Sequence, residues 1–372
     1  MRPSVVYGVT LTALMIGAYL TWTHEDAAAE AAEVIVVDAK TEDIQRIVYT
    51  SEKLDLDLEA RKDDRGSFLW VKSEERRKKR KSSKPDDGHG HGDEAGEDHG
   101  DEPGDAGTEG ADGEGADAEG ADGEAVKEEV EEIELISKSF KAGDAGDKLL
   151  ETFSPLEATR LIEVAADKLA DFGLDEPTEY LEIQRQGKDT RTFDLGGEAY
   201  GTKDRYIRDR ASEKVYLVSA DALNPLKRGA TSLPDRALMG LEESDALQVQ
   251  VNSAADTLTL EHRNRDDEDA SHWRVIGDEE PNESAGTWLE KIFRLRSAFY
   301  VQADEAPINQ ELMFAVTVTA EDSSTEVLEV FKGDSPSGDV AWYARSPYTR
   351  ELVQLHTSPA SQAAEDLTTI LE

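Results

Sequence analysis

Apolar and polar residues alternate along several short runs of the chain, and this alternation predicts β-strands. The run at residues 54–59 reads Leu-Asp-Leu-Asp-Leu-Glu, and a second run at residues 258–261 reads Leu-Thr-Leu-Glu. Paired aspartates follow each run, and after them comes a further strand segment with a tryptophan, Trp70 or Trp273. Because successive side chains of a strand point to opposite faces, the pattern predicts strands with one apolar face over a core.

The same succession of residues occurs twice in the chain. The offset is 202 between Leu56 and Leu258, and 203 between Trp70 and Trp273. Four more strand segments follow in each copy, and an offset of 137 relates Gly196 to Gly333, Tyr206 to Tyr343, and Val215 to Leu352. Coincident offsets of this kind predict an internal duplication. The expected fold class is therefore α+β, with two tandem similar modules of antiparallel strands over residues 43–223 and 245–366.

Each module is expected to pack one helix against its strands. In the first module, Ser154 is suited to the N-cap and Gly173 to the end, so a helix is predicted over residues 154–173. In the second module, apolar residues at helical spacing predict a helix over about 284–297.

The beginning of the chain carries a long apolar segment. Residues 5–22 are mostly apolar and lie between Arg2 and a group of acidic residues. At about 1.5 Å per residue, this helix would span roughly 27 Å, close to the hydrocarbon thickness of a bilayer. We predict a transmembrane anchor over residues 1–24 and a linker over 25–42, with a cleaved signal peptide ending near Ala27 as the alternative. The charge distribution places the later residues outside, which predicts a single-pass inner-membrane protein with periplasmic modules.

The composition excludes several classes of function. The 372 residues include 82 Asp and Glu against 41 Lys and Arg, and the formal charge is −41. A chain this acidic repels a phosphate backbone, so no nucleic-acid partner is expected. Cysteine is absent, which excludes disulfides, thiol catalysis and cysteine-ligated metals.

A low-complexity insert over about residues 76–134 interrupts the first module. It begins with a basic block and continues with a tract rich in Gly, Asp, Glu and Ala, a composition typical of disorder. His89, His91 and His99 in this tract are weak candidates for binding zinc or nickel. A flexible chain lacks the outer groups that orient such ligands, so no metal or other cofactor is assigned.

A search for catalytic patterns finds none of the usual ones. The chain has no Gly-x-Ser-x-Gly, no phosphate-binding lysine loop, no His-Glu-x-x-His and no dinucleotide glycine fingerprint. His262 and His272 flank the hairpin before Trp273 and lack a nearby serine or a matched acid cluster, so we interpret them as strand or surface histidines. Arg205, Arg208 and Arg210 form a basic group that would contact an anion or a partner, or else make salt bridges on an acidic surface. No enzyme activity is expected.

Several motifs resemble those of a bacterial, membrane-anchored family of unknown function, DUF4340. The motifs are Phe193-Asp194-Leu195-Gly196, Tyr206-Ile207-Arg208, Val215-Tyr216-Leu217-Val218, and the link Phe172-Gly173-Leu174-Asp175-x-Pro177. The resemblance is good from Asp43 to about Leu223 and looser beyond. It implies an extracytoplasmic accessory component, often encoded near ABC-type or gliding-motility-type transport systems, and it brings no catalytic residues.

The expected function is therefore non-enzymatic binding to protein components of an ABC-type transport or envelope system, from a membrane anchor. The alternative is a module that binds a ligand such as a glycan or peptide between the two modules. A large apolar pocket lined by Trp273 or Trp342 would favour that alternative. The sequence leaves the partner and the oligomeric state open.

Overall fold

A computed structural model describes residues 34–78, 133–254, 256–267 and 269–371. The chain divides into two units, residues 1–76 with 135–372 and residues 77–134. Apart from the ends of two strands, the elements below belong to the first unit. The predicted anchor, the linker up to residue 33 and most of the insert lie outside the described residues. Among the described residues, no helix has the length and apolar character needed to cross a membrane.

The first half of the described chain forms a nine-stranded sheet and a small two-stranded sheet. In chain order its strands are β1 (Val34–Val37), β2 (Ile44–Thr50), β3 (Leu54–Asp63), β4 (Gly66–Lys78), β5 (Ile133–Lys141), β6 (Leu156–Ala158), β7 (Arg160–Ile162), β8 (Glu179–Arg185), β9 (Arg191–Glu198), β10 (Arg205–Asp209) and β11 (Val215–Val218). β1 pairs with β6, and the nine others lie in the order β5-β4-β3-β2-β8-β9-β10-β11-β7. Two helices accompany them, α1 (Asp144–Thr152) and α2 (Ala220–Arg228).

The second half forms an eight-stranded sheet. Its strands are β12 (Ala246–Ser253), β13 (Thr257–Arg263), β14 (His272–Val275), β15 (Ser297–Tyr300), β16 (Ile308–Ala320), β17 (Thr325–Asp334), β18 (Val340–Arg345) and β19 (Val353–Leu355). They lie in the order β14-β13-β12-β16-β17-β18-β19-β15, and the pairs are antiparallel. Its helices are α3 (Glu283–Arg294) and α4 (Thr357–Leu371).

The two strand orders agree position by position once β5 is set aside. β4-β3-β2 corresponds to β14-β13-β12, β8 to β11 correspond to β16 to β19, and β7 corresponds to β15. α1 precedes the edge strand β7, and α3 precedes its counterpart β15. α2 follows β11 and α4 follows β19, the strands next to those edges. The mixed α+β class with mostly antiparallel sheets, expected from the sequence, is confirmed.

The helix predicted over residues 154–173 is wrong. The helix in this region is α1, which ends before Ser154, and the Ser154 hydroxyl donates to the Leu150 carbonyl at the end of that helix. The following residues form β6 and β7, because β1 and β11 offer them backbone hydrogen-bond partners. The apolar spacing that suggested a helix ends in a 3-10 turn at Ala166–Phe172. Short apolar runs are ambiguous between helix and strand, and here the neighbouring strands decide.

The second predicted helix is confirmed, with slightly different ends. α3 spans Glu283–Arg294, and the Asn282 side chain accepts a hydrogen bond of 2.9 Å from the Ala285 N–H. The predicted end at Ser297 is too late, because Ser297 already pairs with Leu355 in β15. The capping amide explains why the helix begins where it does.

The two tryptophans lie on the third strands as expected, but they do not correspond to each other. The offset of 202 makes Ala60 the counterpart of His262, and Ala60 pairs with Leu69 whereas His262 pairs with Trp273. Leu69, and not Trp70, is therefore the counterpart of Trp273. A shift of one residue moves a side chain to the other face of a sheet. The equivalence suggested by the offset of 203 is thus wrong.

The glycine of the Phe-Asp-Leu-Gly motif lies directly beneath another part of the chain. A Cβ atom on Gly196 would approach the Phe172 carbonyl oxygen to 2.3 Å. Its counterpart Gly333 lies under the same kind of crossing, where a Cβ atom would be 3.3 Å from the Ile308 oxygen. The motif therefore requires glycine for a close backbone approach.

Candidate functional site

The two large sheets meet through an ordered connector, residues 233–241. The Asp235 N–H donates to the Lys141 carbonyl at the end of β5 over 2.9 Å. The Ser297 N–H at the start of β15 donates to the Arg236 carbonyl, also over 2.9 Å. The connector thus bonds to an edge strand of each sheet, and we call this region the junction.

A side-chain amide also joins the two edges. The Gln302 Oε1 accepts the Ser139 N–H at 2.9 Å, and its Nε2 donates to the Ser139 carbonyl at 3.2 Å. Trp70 donates its indole N–H to the Ser139 hydroxyl at 2.8 Å and meets the Tyr300 ring edge to face at 6.4 Å. Trp70 therefore belongs to the junction. It lies on the opposite face of the sheet from Leu69, the counterpart of Trp273.

A buried ion pair lies at the centre of the junction. Lys141 and Asp235 are 6 % and 8 % exposed, and Lys141 Nζ lies 2.5 Å from Asp235 Oδ2. The same oxygen accepts the Tyr348 hydroxyl at 2.8 Å, and the Lys141 ammonium lies 3.4 Å from the centre of the Tyr348 ring. Burial lowers the pKa of Lys141, although the bond to Asp235 opposes this shift, and burial together with Asp235 raises the pKa of Tyr348.

A second ionic contact crosses the junction from the β18–β19 loop to β3. Arg350 donates to both oxygens of Asp63, from Nε at 2.7 Å and from Nη2 at 3.2 Å. Its guanidinium also lies 3.7 Å from the centre of the Phe68 ring. The bond from Arg350 lowers the pKa of Asp63. A bidentate contact of this kind fixes both the distance between the two side chains and their relative orientation.

The end of the connector is fixed by a buried carboxylate. Glu326 is 5 % exposed and accepts the Gly240 N–H at 2.8 Å and the Leu241 N–H at 3.0 Å. The Tyr348 ring packs against Gly240, where a Cβ atom would come within 2.8 Å of it. Glu326 of β17 and Tyr348 of the β18–β19 loop therefore hold this end of the connector.

These groups surround a cavity of about 410 Å³. Its charged and hydroxyl-bearing lining residues are Arg65, Ser67, Lys141, Asp144, Asp147, Asp235, Ser324, Thr325, Glu326, Tyr348 and Arg350. Neither Trp273 nor Trp342 is among its lining residues. Lys141 and Arg350 are already paired with carboxylates, so the arrangement holds the sheets together and leaves a polar cavity, unlike the apolar pocket that would favour a ligand.

Arg205, a predicted anion or partner contact, is buried in the first sheet at 8 % exposure. Its Nε donates to the Gly196 carbonyl at 2.9 Å, and its Nη1 lies 2.9 Å from Glu179 Oε2. The guanidinium therefore secures the backbone at the motif glycine.

Arg208 and Arg210, the other two predicted contacts, also have carboxylate partners. Arg208 Nη2 lies 3.3 Å from Glu213 Oε1, and Arg210 donates from Nε at 2.7 Å to the buried Asp194. All three arginines pair with carboxylates and Arg205 is buried, so they do not form one free cationic surface.

His262 lies in β13, as expected of a strand histidine, but one premise of that interpretation is wrong. The expectation that it lacks a nearby serine is wrong, because His262 Nε2 lies 2.7 Å from the Ser271 Oγ. Its Nδ1 lies 3.1 Å from the Ala246 carbonyl oxygen, and its ring stacks on Trp273 at 4.3 Å. Burial lowers the pKa of His262, which is 9 % exposed. The sequence signal was the hairpin itself, since its return strand brings Ser271 back beside His262.

The weak metal candidates His89, His91 and His99 lie outside the described residues. Among the residues that are described, no group of three or more His, Asp or Glu is arranged to hold a metal ion.

The fold and the junction define a mixed α+β protein whose two antiparallel sheets are joined through an ordered connector. The family model described as Domain of unknown function (DUF4340) matches residues 142–312. The resemblance seen in the motifs is thereby confirmed for a region that starts after β5, includes the connector and ends within β16. Comparisons with curated proteins and with solved structures find no significant match in either set.

Proposed function

We propose that this chain is a membrane-anchored, extracytoplasmic accessory protein that binds protein components of an ABC-type transport or envelope system. In this role it acts non-enzymatically, by contact. The proposal is supported by the apolar run at residues 5–22, by the match to DUF4340 and by what membership of that family implies. Its proposed location is the inner membrane, with the folded sheets in the periplasm.

The observation that carries the proposal is the paired state of the junction. Lys141 with Asp235, and Arg350 with Asp63, use their charges to join the sheets. The first pair is buried and the second is half-buried, and we propose that both serve to specify one arrangement of the sheets. A fixed arrangement of two sheets suits a scaffold that presents a constant surface to protein partners.

We also propose that the two halves are tandem modules that arose by duplication. The equal strand orders, the helices at equivalent places and the matched crossings over Gly196 and Gly333 support this origin.

The alternative, a glycan or peptide site between the modules, has less support. The cavity there is polar, and Lys141, Arg350 and Glu326 are occupied within the protein. A ligand would have to compete with these contacts, each of which is made by buried or half-buried groups.

The test is capture of the tagged full-length chain from cells cross-linked before detergent extraction. A matched control replaces residues 1–33 with an unrelated membrane anchor, which keeps the location but removes the chain's own segment. Recovery of the same transporter or envelope subunits with both proteins supports recruitment by the folded part. Recovery of no such subunit with either protein refutes the proposal.

A second measurement tests the location. Alkaline phosphatase fused after residue 372 should be active, because this enzyme folds outside the cytoplasm, and the same fusion lacking residues 1–33 should be inactive. If the full-length phosphatase fusion is inactive while a fluorescent-protein fusion at the same position fluoresces in the cytoplasm, the modules lie inside and the proposal is overturned.

A further inference from the structure

The second half carries a cavity of about 820 Å³ that is separate from the junction. It lies among the 3-10 turn Glu243–Asp245, the β13–β14 hairpin and α3, and both His262 and Ser271 line it. We propose that Ser271 and His262 act as a nucleophile and its general base, and that this cavity transfers the acyl group of small carboxylic esters to water.

The hydrogen-bond partners of His262 fix its tautomer. The Ala246 carbonyl can only accept, so Nδ1 must carry the proton in that bond of 3.1 Å. In the neutral ring, Nε2 is then the acceptor, and the Ser271 hydroxyl 2.7 Å away must donate to it. This is the polarity that activates a serine, with a backbone carbonyl in the place of the usual orienting carboxylate.

The surroundings keep the imidazole neutral and correctly oriented. Burial is the largest influence and lowers the pKa of His262; Arg265 lowers it further, whereas Ala246 and Glu243 raise it. Stacking on Trp273, with 14° between the ring planes, holds the ring in place. The ionisable groups of α3 that line the cavity are Glu283, Glu290 and Arg294. A neutral base can take the serine proton at neutral pH.

The first half provides an internal comparison. Its hairpin has the same strands, but Ala60 stands in the position of His262. Ser67, one residue before Phe68, stands where Ser271 stands one residue before His272. The fold thus builds this hairpin without the histidine, so the Ser–His pair is not a requirement of the sheet. It is an addition specific to the second cavity.

The reaction balances with water as the only co-reactant. Ser271 Oγ bonds to the ester carbonyl carbon while its proton passes to His262 Nε2, and the alcohol leaves with that proton. Water then adds to the acyl-serine carbonyl, gives a proton to Nε2, and the serine oxygen leaves with it as the carboxylic acid is released. The Asn282 amide and the guanidinium groups of Arg265 and Arg294 line the same cavity and offer N–H donors for the transient oxyanion.

The pair goes beyond the proposed accessory role, which does not use it, so either proposal can fail without the other. The expectation that the chain is not an enzyme depended in part on the absence of a serine beside His262. The structure removes that premise.

The test is labelling of the purified full-length chain in detergent with a fluorophosphonate, which forms an Oγ–phosphorus bond and loses fluoride. Mass spectrometry should find the label on Ser271 and not on Ser67 or on Ser244, a serine that lines the same cavity. Ser271→Ala should abolish labelling, and Ser67→Ala, the matched substitution in the first half, should leave it unchanged. The same substitutions should change the rate of p-nitrophenyl acetate hydrolysis in the same way as they change labelling.

Removal of the base gives the second readout. His262→Gln should slow labelling by about 100-fold or more, whereas His272→Gln, a matched loss of a neighbouring histidine, should not. If His262→Gln does not fold, the wild-type pH profile decides, because labelling should fall as the pH drops through the lowered pKa of His262, below about 6.5. Labelling absent from the folded wild type, equal on Ser67, or independent of both His262 and pH would overturn the proposal.

Discussion

Asp235→Ala is the substitution that most directly tests the junction. It removes the carboxylate that Lys141 and Tyr348 share, at 2.5 and 2.8 Å. Lys141 is 6 % exposed, so its ammonium would remain buried beside the Tyr348 ring without the carboxylate that pairs with it. Breaking a buried pair by removing one member costs about 3–5 kcal/mol. We expect the free energy of unfolding to fall by that amount.

Lys141→Met provides a graded comparison at the same pair. Methionine fills the same space, and Asp235 keeps hydrogen bonds from the Tyr348 hydroxyl at 2.8 Å and the Ala237 N–H at 2.9 Å. Because these two hydrogen bonds still compensate the carboxylate, the expected cost is about 3 kcal/mol or less, at or below the lower end of the range for Asp235→Ala.

The assay is urea unfolding of the full-length chain, followed by tryptophan fluorescence. Arg294→Ala is the control, because its pair with Glu290 is 3.6 Å long and exposed, and it should cost at most about 0.5 kcal/mol. A loss below about 1 kcal/mol for Asp235→Ala, or a larger loss for Lys141→Met, would show that the junction pair does not hold the sheets as described.

Two other predictions concern the same architecture. Arg350→Ala should make stability less sensitive to acid: Asp63 has a lowered pKa in the folded chain, so its contribution is present above the ordinary pKa of about 3.9 and lost as the pH falls through the lowered one. An unchanged acid profile in urea unfolding would contradict this. Gly196→Ala should destabilise by about 1–3 kcal/mol or more, because its Cβ would lie 2.3 Å from the Phe172 backbone oxygen, whereas Gly333→Ala, at 3.3 Å from the Ile308 oxygen, should cost less. Thermal unfolding measures both, and equal losses would refute the reasoning.

The alternating runs were sufficient to locate most strands, because a half-buried strand has a period of two that little else imitates. Residues 54–59 and 258–261 both lie in strands with alternate buried positions. The helix at 154–173 failed for the opposite reason: β6 and β7 are only three residues long, and their conformation depends on β1 and β11. The hydrophobic periodicity of a short segment does not show which strands will pair with it.

The junction could not be predicted from local patterns at all. Arg350 and Asp63 are 287 residues apart in the chain, and in so acidic a sequence no single pairing stands out. The strand register could not be predicted either. The offset of 203 makes Trp70 the counterpart of Trp273, whereas the strand pairing makes Leu69 its counterpart, one residue away. Ser271 and His262 are nine residues apart, and only the length of the hairpin loop decides whether they meet.

The strands that flank the insert, β4 ending at Lys78 and β5 starting at Ile133, are neighbours in their sheet. The chain therefore departs from the sheet and rejoins it on adjacent strands. Closing a longer loop between such strands adds only about 0.6 kcal/mol for each doubling of its length. Evolution can thus lengthen, shorten or recompose this segment almost without penalty to the domain, which explains how so biased a stretch of sequence came to be tolerated there.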